Sequence, residues 1–388
     1  MPATPKFRFV LLATTALMVC GSPSKAQTAS EKSPGEKSAT ATANPSAKAD
    51  PDMAKVLAAL NQLGPKPIET LTPAEARKQY SAADAVRKII KDEKLNVDPH
   101  KGLKISNSHF ADMGKLRLRF YTPEKTSKDS NLPVVIYFRG GGWVIADLNT
   151  YDATPSALAR KANAIVVSVD YPMAPEHKFP AAHDEAIEAY KYIVQHAKRW
   201  GGNPDRIGLV GESAGGNLAL ATAIAARDQR ITVPVAIVSV YPVATTSMDT
   251  PSKKEDAAAK PLNTPMMTWF FDKALNSGGD KQDTRLNLVA ADLKNLPPVT
   301  IINAGIDPLR SDGDMIADRL KAAGNNVTHQ VYPGVTHEFF GMDAVVAKAG
   351  QAQDFAVAQL SKGWAPISGK VESVDGAPLK VNGAPLKK

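Results

Sequence analysis

Six short runs rich in β-branched residues, at 134–138, 164–169, 207–210, 233–240, 299–303 and 327–331, alternate with stretches of helical spacing at 151–161, 181–198, 214–226, 312–323 and 343–360. Most of the runs are apolar at every position, not at every second one, as parallel strands covered on both faces require. Within 181–198, Ile187, Tyr190, Ile193, Val194 and Ala197 keep the spacing of one helix face. The alternation predicts an α/β fold: a mostly parallel central sheet with helices on both faces. A chain of 388 residues, 43% apolar and 22% charged, buries a sizeable core unaided and is neither disordered nor collagen-like. Its one cysteine, Cys20, rules out a disulfide framework or a cysteine-built metal cluster.

The ends differ from this body. Lys6 and Arg8 precede an apolar stretch at 9–19, and Ser24-Lys25-Ala26 places small residues two apart, the pattern of a secretory signal peptide over 1–26. The stretch is too short to span a bilayer. Export to the periplasm or the medium is therefore expected. A retained anchor helix and lipidation at Cys20 remain as alternatives. Residues 27–52 carry almost no large apolar side chain and read as a disordered leader. The tail 365–388, with GAPLK at 376–380 and again at 383–387, reads as disordered too. Setting residues 1–52 and the tail aside, the net charge of +8 falls to about +4 over the folded body, too dispersed for a nucleic-acid groove.

Folding proper is expected from Met53 to 364. Met53, Val56, Leu57, Leu60 and Leu63 form one helical stripe, and Thr72-Pro73-Ala74-Glu75 is a capping box with proline at the first helical position. Residues 244–296 break the strand–helix rhythm with an aromatic- and Met-rich stretch at 264–271. Segments 53–100 and 244–296 are expected to build a cap over the carboxyl ends of the strands, where open sheets bind ligands.

The chemistry gathers at strand ends. Gly211-Glu212-Ser213-Ala214-Gly215 stands where an apolar strand runs into a helix. Glycines at 211 and 215 permit a tight turn that lifts Ser213 out of the sheet and aims the next helix's N-terminus at it. A serine needs an imidazole oriented by a carboxylate to become a nucleophile. Asp307 follows the strand at 299–303, and His337 lies in the loop after the last strand, in the chain order Ser, Asp, His. Asp312 and Asp314 fall on the next helix and read as caps, and His329, inside a strand, reads as structural or exposed. Gly140-Gly141-Gly142 after 134–138 can bring backbone N–H groups close to a ligand; no Lys-Ser/Thr follows as a phosphate loop would need.

Together the glycine loop, Tyr171-Pro172-Met173-Ala174-Pro175-Glu176, the 211–216 elbow, Asp307-Pro308-Leu309-Arg310 and His337-Glu338-Phe339 resemble a hormone-sensitive-lipase-like (family IV) esterase over roughly 53–362. The resemblance implies an α/β-hydrolase core with a helical cap. It implies Ser213 as nucleophile, His337 as base, Asp307 as its orienter, and the N–H groups of Gly141, Gly142 and Ala214 as oxyanion donors. It gives Glu176 a bracing role near the site. Two departures stand out: Arg139 where the family has histidine, and Pro172 where it commonly has arginine. One guanidinium gained and one lost suggest that Arg139 supports the glycine loop through an ion pair with Glu176 or Glu212.

The expected function is that of a serine esterase, cleaving small carboxylic esters through an acyl-enzyme, with no metal, cofactor or nucleic-acid partner. A non-catalytic ligand-binding protein on the same fold, with Arg139 holding a carboxylate, is the alternative from another class. Amide or carbamate hydrolysis would use the same three side chains.

Overall fold

The structure is a computed structural model that describes residues 45–110 and 116–364, with the backbone of 380–381 and 384–385. The signal peptide expected at 1–26 with Cys20, the leader up to residue 44 and most of the tail lie outside the described residues. Residues 45–52 do not continue the leader. Pro45–Lys48 form a 3-10 helix, and α1 (Pro51–Leu63) begins directly after it. The reason is contact with distant chain: the Asp50 N–H donates to the Gly334 carbonyl at 2.7 Å, and Lys348 Nζ lies 2.5 Å from Asp50 Oδ2.

After α1 come α2 (Pro73–Ala76), which carries the expected capping box on Thr72 and Glu75, and α3 (Ala82–Asp92), capped by Ser81. The sheet follows: β1 (Leu103–Phe110), β2 (Leu116–Pro123), β3 (Leu132–Phe138), α4 (Ala153–Ala162), β4 (Ile165–Val169), α5 (Ala181–His196), β5 (Gly202–Glu212), α6 (Ala214–Asp228) and β6 (Ala236–Val240). The insert carries α7 (Pro251–Glu255) and α8 (Thr264–Ala274), and β7 (Val299–Ile306), α9 (Arg310–Ala322), β8 (Val327–Thr336) and α10 (Ala347–Trp364) complete the fold. Strand order is β1-β2-β4-β3-β5-β6-β7-β8. Pairing is parallel from β4 through β8, and β2 runs antiparallel to both of its neighbours.

Alternation along β3 divides the core. Val134, Ile136 and Phe138 face a layer that includes Ala189 of α5, Leu218 of α6 and Ile316 of α9. Val135 and Tyr137 face Leu158 of α4 and Ala356 and Leu360 of α10. Both faces are buried, which accounts for the unbroken apolar runs. The two expected cap segments are placed in different layers. Trp269 Nε1 of α8 donates to the Leu71 carbonyl, and Asn263 Nδ2 donates to Glu69 Oε1, each at 3.1 Å, so the stretch around 68–77 meets the insert. Helices α1 and α3 pack with α10 and the chain after β8 instead.

Candidate active site

Ser213 sits between β5 and α6 with φ 58° and ψ −119°, a conformation that L-residues avoid. Its N–H donates to the Val240 carbonyl at 2.9 Å, and its own carbonyl accepts from Asn217 at 3.2 Å. The flanking glycines are required by space: a Cβ on Gly211 would stand 2.0 Å from the Gly215 carbonyl oxygen, and one on Gly215 2.0 Å from that of Phe138. The elbow is therefore pressed against the end of β3, which brings the glycine loop beside the serine.

The structure brings the three distant side chains together. His337 Nε2 lies 3.0 Å from Ser213 Oγ, and His337 Nδ1 lies 2.7 Å from Asp307 Oδ2. Asp307 is held by its remaining oxygen, Oδ1, which accepts from the Leu309 N–H at 2.8 Å, and its own N–H donates to Asp256 Oδ2. Burial opposes a charged imidazole. The Asp307 carboxylate, with Glu338 and Glu212 behind it, outweighs that cost and raises the His337 pKa above the ordinary histidine value. The Tyr241 ring packs on the imidazole with centroids 4.5 Å apart.

Gly141 and Gly142 have φ of 99° and 57°, and Ala214 opens α6. Among the described residues, no protein acceptor takes the N–H of any of these three. Such groups at a helix N-terminus and a glycine turn are suited to stabilising an anion. Gly141, Gly142, Ser213 and His337 border a cavity of about 30 Å³, closed from the insert side by Met266, Met267 and Phe270. Phe270 presses so close that a Cβ on Gly142 would stand 2.3 Å from its ring.

Arg139 does not form the expected ion pair. Its guanidinium is fully buried and stacks over Tyr171 at 4.2 Å, with Asp170 3.9 Å away. Its Nη1 donates to the Ile145 and Gly140 carbonyls at 3.1 and 3.2 Å. The cause is strand order: β4 lies beside β3, so Asp170 and Tyr171, which follow β4, stand next to the residue that follows β3. Glu176 is occupied by Arg77, whose Nη1 and Nη2 reach its two oxygens at 2.8 and 2.7 Å. That fork pulls the Glu176 pKa down to about 2. Glu212 accepts instead from Tyr137 at 2.5 Å and from the Tyr241 hydroxyl. Burial pushes its pKa up.

Several neighbours escaped the sequence reading. Arg77 joins the N-terminal segment to the turn after the glycine loop, donating from Nε to the Val144 carbonyl at 2.8 Å. Asp312 is not an ordinary cap. It is fully buried, ion-paired with Lys253, and accepts the N–H groups of Ala244 and Thr245. Glu338, next to His337 in sequence, is half-buried at φ 67°. Among the described residues no group of three or more His, Asp or Glu side chains is arranged to hold a metal ion.

A family model described as alpha/beta hydrolase fold matches residues 135–341. The chain is 38% identical to "Carboxylesterase NlhH" of Mycobacterium tuberculosis over 236 residues, 60% of this chain and 74% of that one. It is 30% identical to "Ethyl acetate hydrolase" of Pseudomonas putida over 299 residues, 76% of this chain and 92% of that one. Among solved structures, LAE6, described as an alpha/beta hydrolase enzyme from the metagenome of Lake Arreo, superposes with a TM-score of 0.72 at 33% identity, over 82% of this chain and 99% of that one.

Proposed function

The chain belongs to the α/β-hydrolase fold family, in its hormone-sensitive-lipase-like branch, and from that premise we propose that it hydrolyses carboxylic esters through an acyl-enzyme formed on Ser213. The observation that carries this reading is the unbroken run from Ser213 Oγ through the His337 ring to Asp307, at 3.0 and 2.7 Å. As Oγ attacks the ester carbonyl, His337 Nε2 takes its proton, and Asp307 holds the ring by Nδ1 and stabilises the imidazolium. The raised pKa of His337 makes it a stronger proton acceptor than a free imidazole. The N–H groups of Gly141, Gly142 and Ala214 receive the charge that develops on the carbonyl oxygen. His337 then gives its proton to the leaving alcohol, takes one from water, and the hydroxide equivalent releases the acid.

Arg139 and Glu212 act behind this set, one pinning the carbonyls of the glycine loop, the other tying Tyr137 and Tyr241 to the elbow. The expected outcome of Ser213→Ala is background-only hydrolysis of p-nitrophenyl acetate, with loss of labelling by a fluorophosphonate probe. Turnover retained in that variant would sink the assignment. Export belongs to the same reading: Lys6, Arg8 and the apolar stretch after them support cleavage near Ala26 and delivery to the periplasm or medium. Mass spectrometry of the mature N-terminus tests this, with a chain starting at residue 27 expected.

A further inference from the structure

Glu212 is a buried carboxyl group that takes no part in the proton transfers described above. It is 1% exposed and stands one residue before the nucleophile. Tyrosine hydroxyls, not a cation, meet both its oxygens: Tyr137 donates to Oε1 and Tyr241 to Oε2. Keeping a carboxyl group in such a place is costly. Tyr241 follows β6, and its ring lies against the imidazole of His337, with centroids 4.5 Å apart and planes tilted by 50°. The residue before the nucleophile thus reaches the base through one tyrosine.

We infer that Tyr241 is a positioning residue for the base: its ring fixes the imidazole between Ser213 and Asp307 and stabilises the imidazolium that forms as the serine attacks, and Glu212 anchors that ring by its hydroxyl. This rests on the esterase reading above and deepens its mechanism.

Three observations carry it. The first is distance. A centroid separation of 4.5 Å is inside the ~6 Å over which a cation is drawn to an aromatic face, an attraction that grows when both groups are desolvated. Tyr241 is fully buried and His337 is 4% exposed. The second is confinement. Phe339 also packs on the Tyr241 ring, edge to face with centroids 6.0 Å apart, and the hydroxyl end is tied to Glu212. The ring therefore cannot turn away from His337 without breaking that bond. The third is the backbone. Tyr241 has φ 34°, a conformation that bulky residues avoid. Its N–H donates to the Ile302 carbonyl at 2.6 Å, and the carbonyl of Val240, just before it, accepts from the Ser213 N–H at 2.9 Å. Strain of this kind persists where the surroundings over-determine it, and here those surroundings are the nucleophile and the base.

The other charges around the imidazole come from three places. Asp307 follows β7, Glu338 is next to His337 in the chain after β8, and Glu212 ends β5; all three favour the imidazolium, against burial. A test must alter the Tyr241 ring and leave these carboxyl groups in place. The pH profile of kcat/KM for p-nitrophenyl acetate is measured for Tyr241→Phe, for the same variant carrying mono-, di- or trifluorinated phenylalanine at that position, and for Tyr241→Leu. Tyr241→Phe keeps the ring and loses the anchor, so kcat should fall a few-fold with KM little changed. Fluorine withdraws electron density from the ring face. The acid limb should therefore move stepwise to lower pH along the fluorinated series, by about half a pH unit in total, and the plateau should fall with it. Tyr241→Leu should show the lowest limb and a plateau reduced by about tenfold or more. Should the leucine variant fail to fold by circular dichroism, the fluorinated series, of nearly constant size, decides alone. A purely structural ring would lower the plateau without moving the limb. A limb that stays fixed along the fluorinated series overturns the proposal, and so does a folded Tyr241→Leu with an unaltered plateau. The esterase reading fails separately, if the unaltered chain hydrolyses no ester or Ser213→Ala retains turnover.

Discussion

Arg77 grips Glu176 with both terminal nitrogens, at 2.8 and 2.7 Å, while its Nε holds the Val144 carbonyl and its Nη2 also reaches that of Ala174. One side chain from the N-terminal segment thus spans the turn after the glycine loop and the loop after β4. Glu176 is more than half exposed, so the ion pair is screened and the backbone contacts matter more for placing the loop. Arg77→Ala is expected to cost on the order of 1–2 kcal/mol of stability and to lower kcat more than it raises KM. Arg77→Lys should not restore kcat, because an ammonium cannot fork to a carboxylate and two carbonyls at once. Urea titration together with steady-state kinetics checks both; full rescue by lysine would contradict the bracing role.

The buried position of Arg139 leads to a coupling prediction. Stacking over Tyr171, with no acidic partner among the described residues closer than 3.9 Å, should give a coupling energy of about 1–2 kcal/mol between Arg139→Met and Tyr171→Leu in a double-mutant cycle. Cycles pairing Arg139→Met with Glu176→Gln or Glu212→Gln should show none beyond about 0.5 kcal/mol. Coupling to Glu176 instead would mean that the guanidinium sits elsewhere in solution.

These two arginines mark where sequence reading stops. The elbow at 211–215, the glycine loop and the strands of the parallel sheet were legible because each depends on a few consecutive residues: a turn that admits no Cβ, or an apolar run covered on both faces. The order Ser213, Asp307, His337 was legible because each follows a strand end, and parallel strands share one end. Arg77 and Glu176 are 99 residues apart, and no local pattern links them. The partner of Arg139 was misjudged because motifs do not say which strands lie side by side; β4 against β3 puts Asp170 and Tyr171 within reach. Strand β1 was overlooked because Leu103–Phe110 is polar at most positions. Residues 45–52 read as leader since their partners, Gly334 and Lys348, lie at the far end of the chain.

Lys253 and Asp312 form an ion pair with neither side chain exposed, joining α7 of the insert to α9 of the core. Replacing Lys253 by methionine leaves a carboxylate buried with no counter-charge, and should cost roughly 3–5 kcal/mol. Burial, opposed by Lys253, already pushes the Asp312 pKa up to about 6. A carboxyl that binds its proton more tightly folded than unfolded contributes stability at low pH that is lost as pH rises through about 6. The Lys253→Met penalty should therefore shrink below that pH, where Asp312 becomes neutral. Adding Asp312→Asn should recover part of the loss at pH 8. Urea midpoints at pH 5 and pH 8 measure this, and a penalty equal at the two values would contradict the pairing.

The pH dependence of turnover follows from what surrounds His337. The base must be neutral to accept the Ser213 proton, so kcat/KM falls on the acid side as the imidazole is protonated. Burial disfavours the imidazolium, but Asp307 first, then Glu338 and Glu212, favour it and leave the pKa raised. The acid limb for p-nitrophenyl acetate should accordingly lie above the ordinary histidine value near 6.5. Glu338→Gln keeps the side chain's size and its contact with Tyr151 but removes a negative charge beside the ring. Losing that charge destabilises the protonated imidazole, so the limb should move to lower pH with the plateau rate little altered in comparison. Asp307→Asn should act differently: it removes the ring's orienting acceptor, and the plateau itself should fall by about 10⁴. Profiles of all three proteins between pH 5 and pH 9 separate the two effects, and a limb that stays put or moves up in Glu338→Gln would show that this carboxylate does not act on His337.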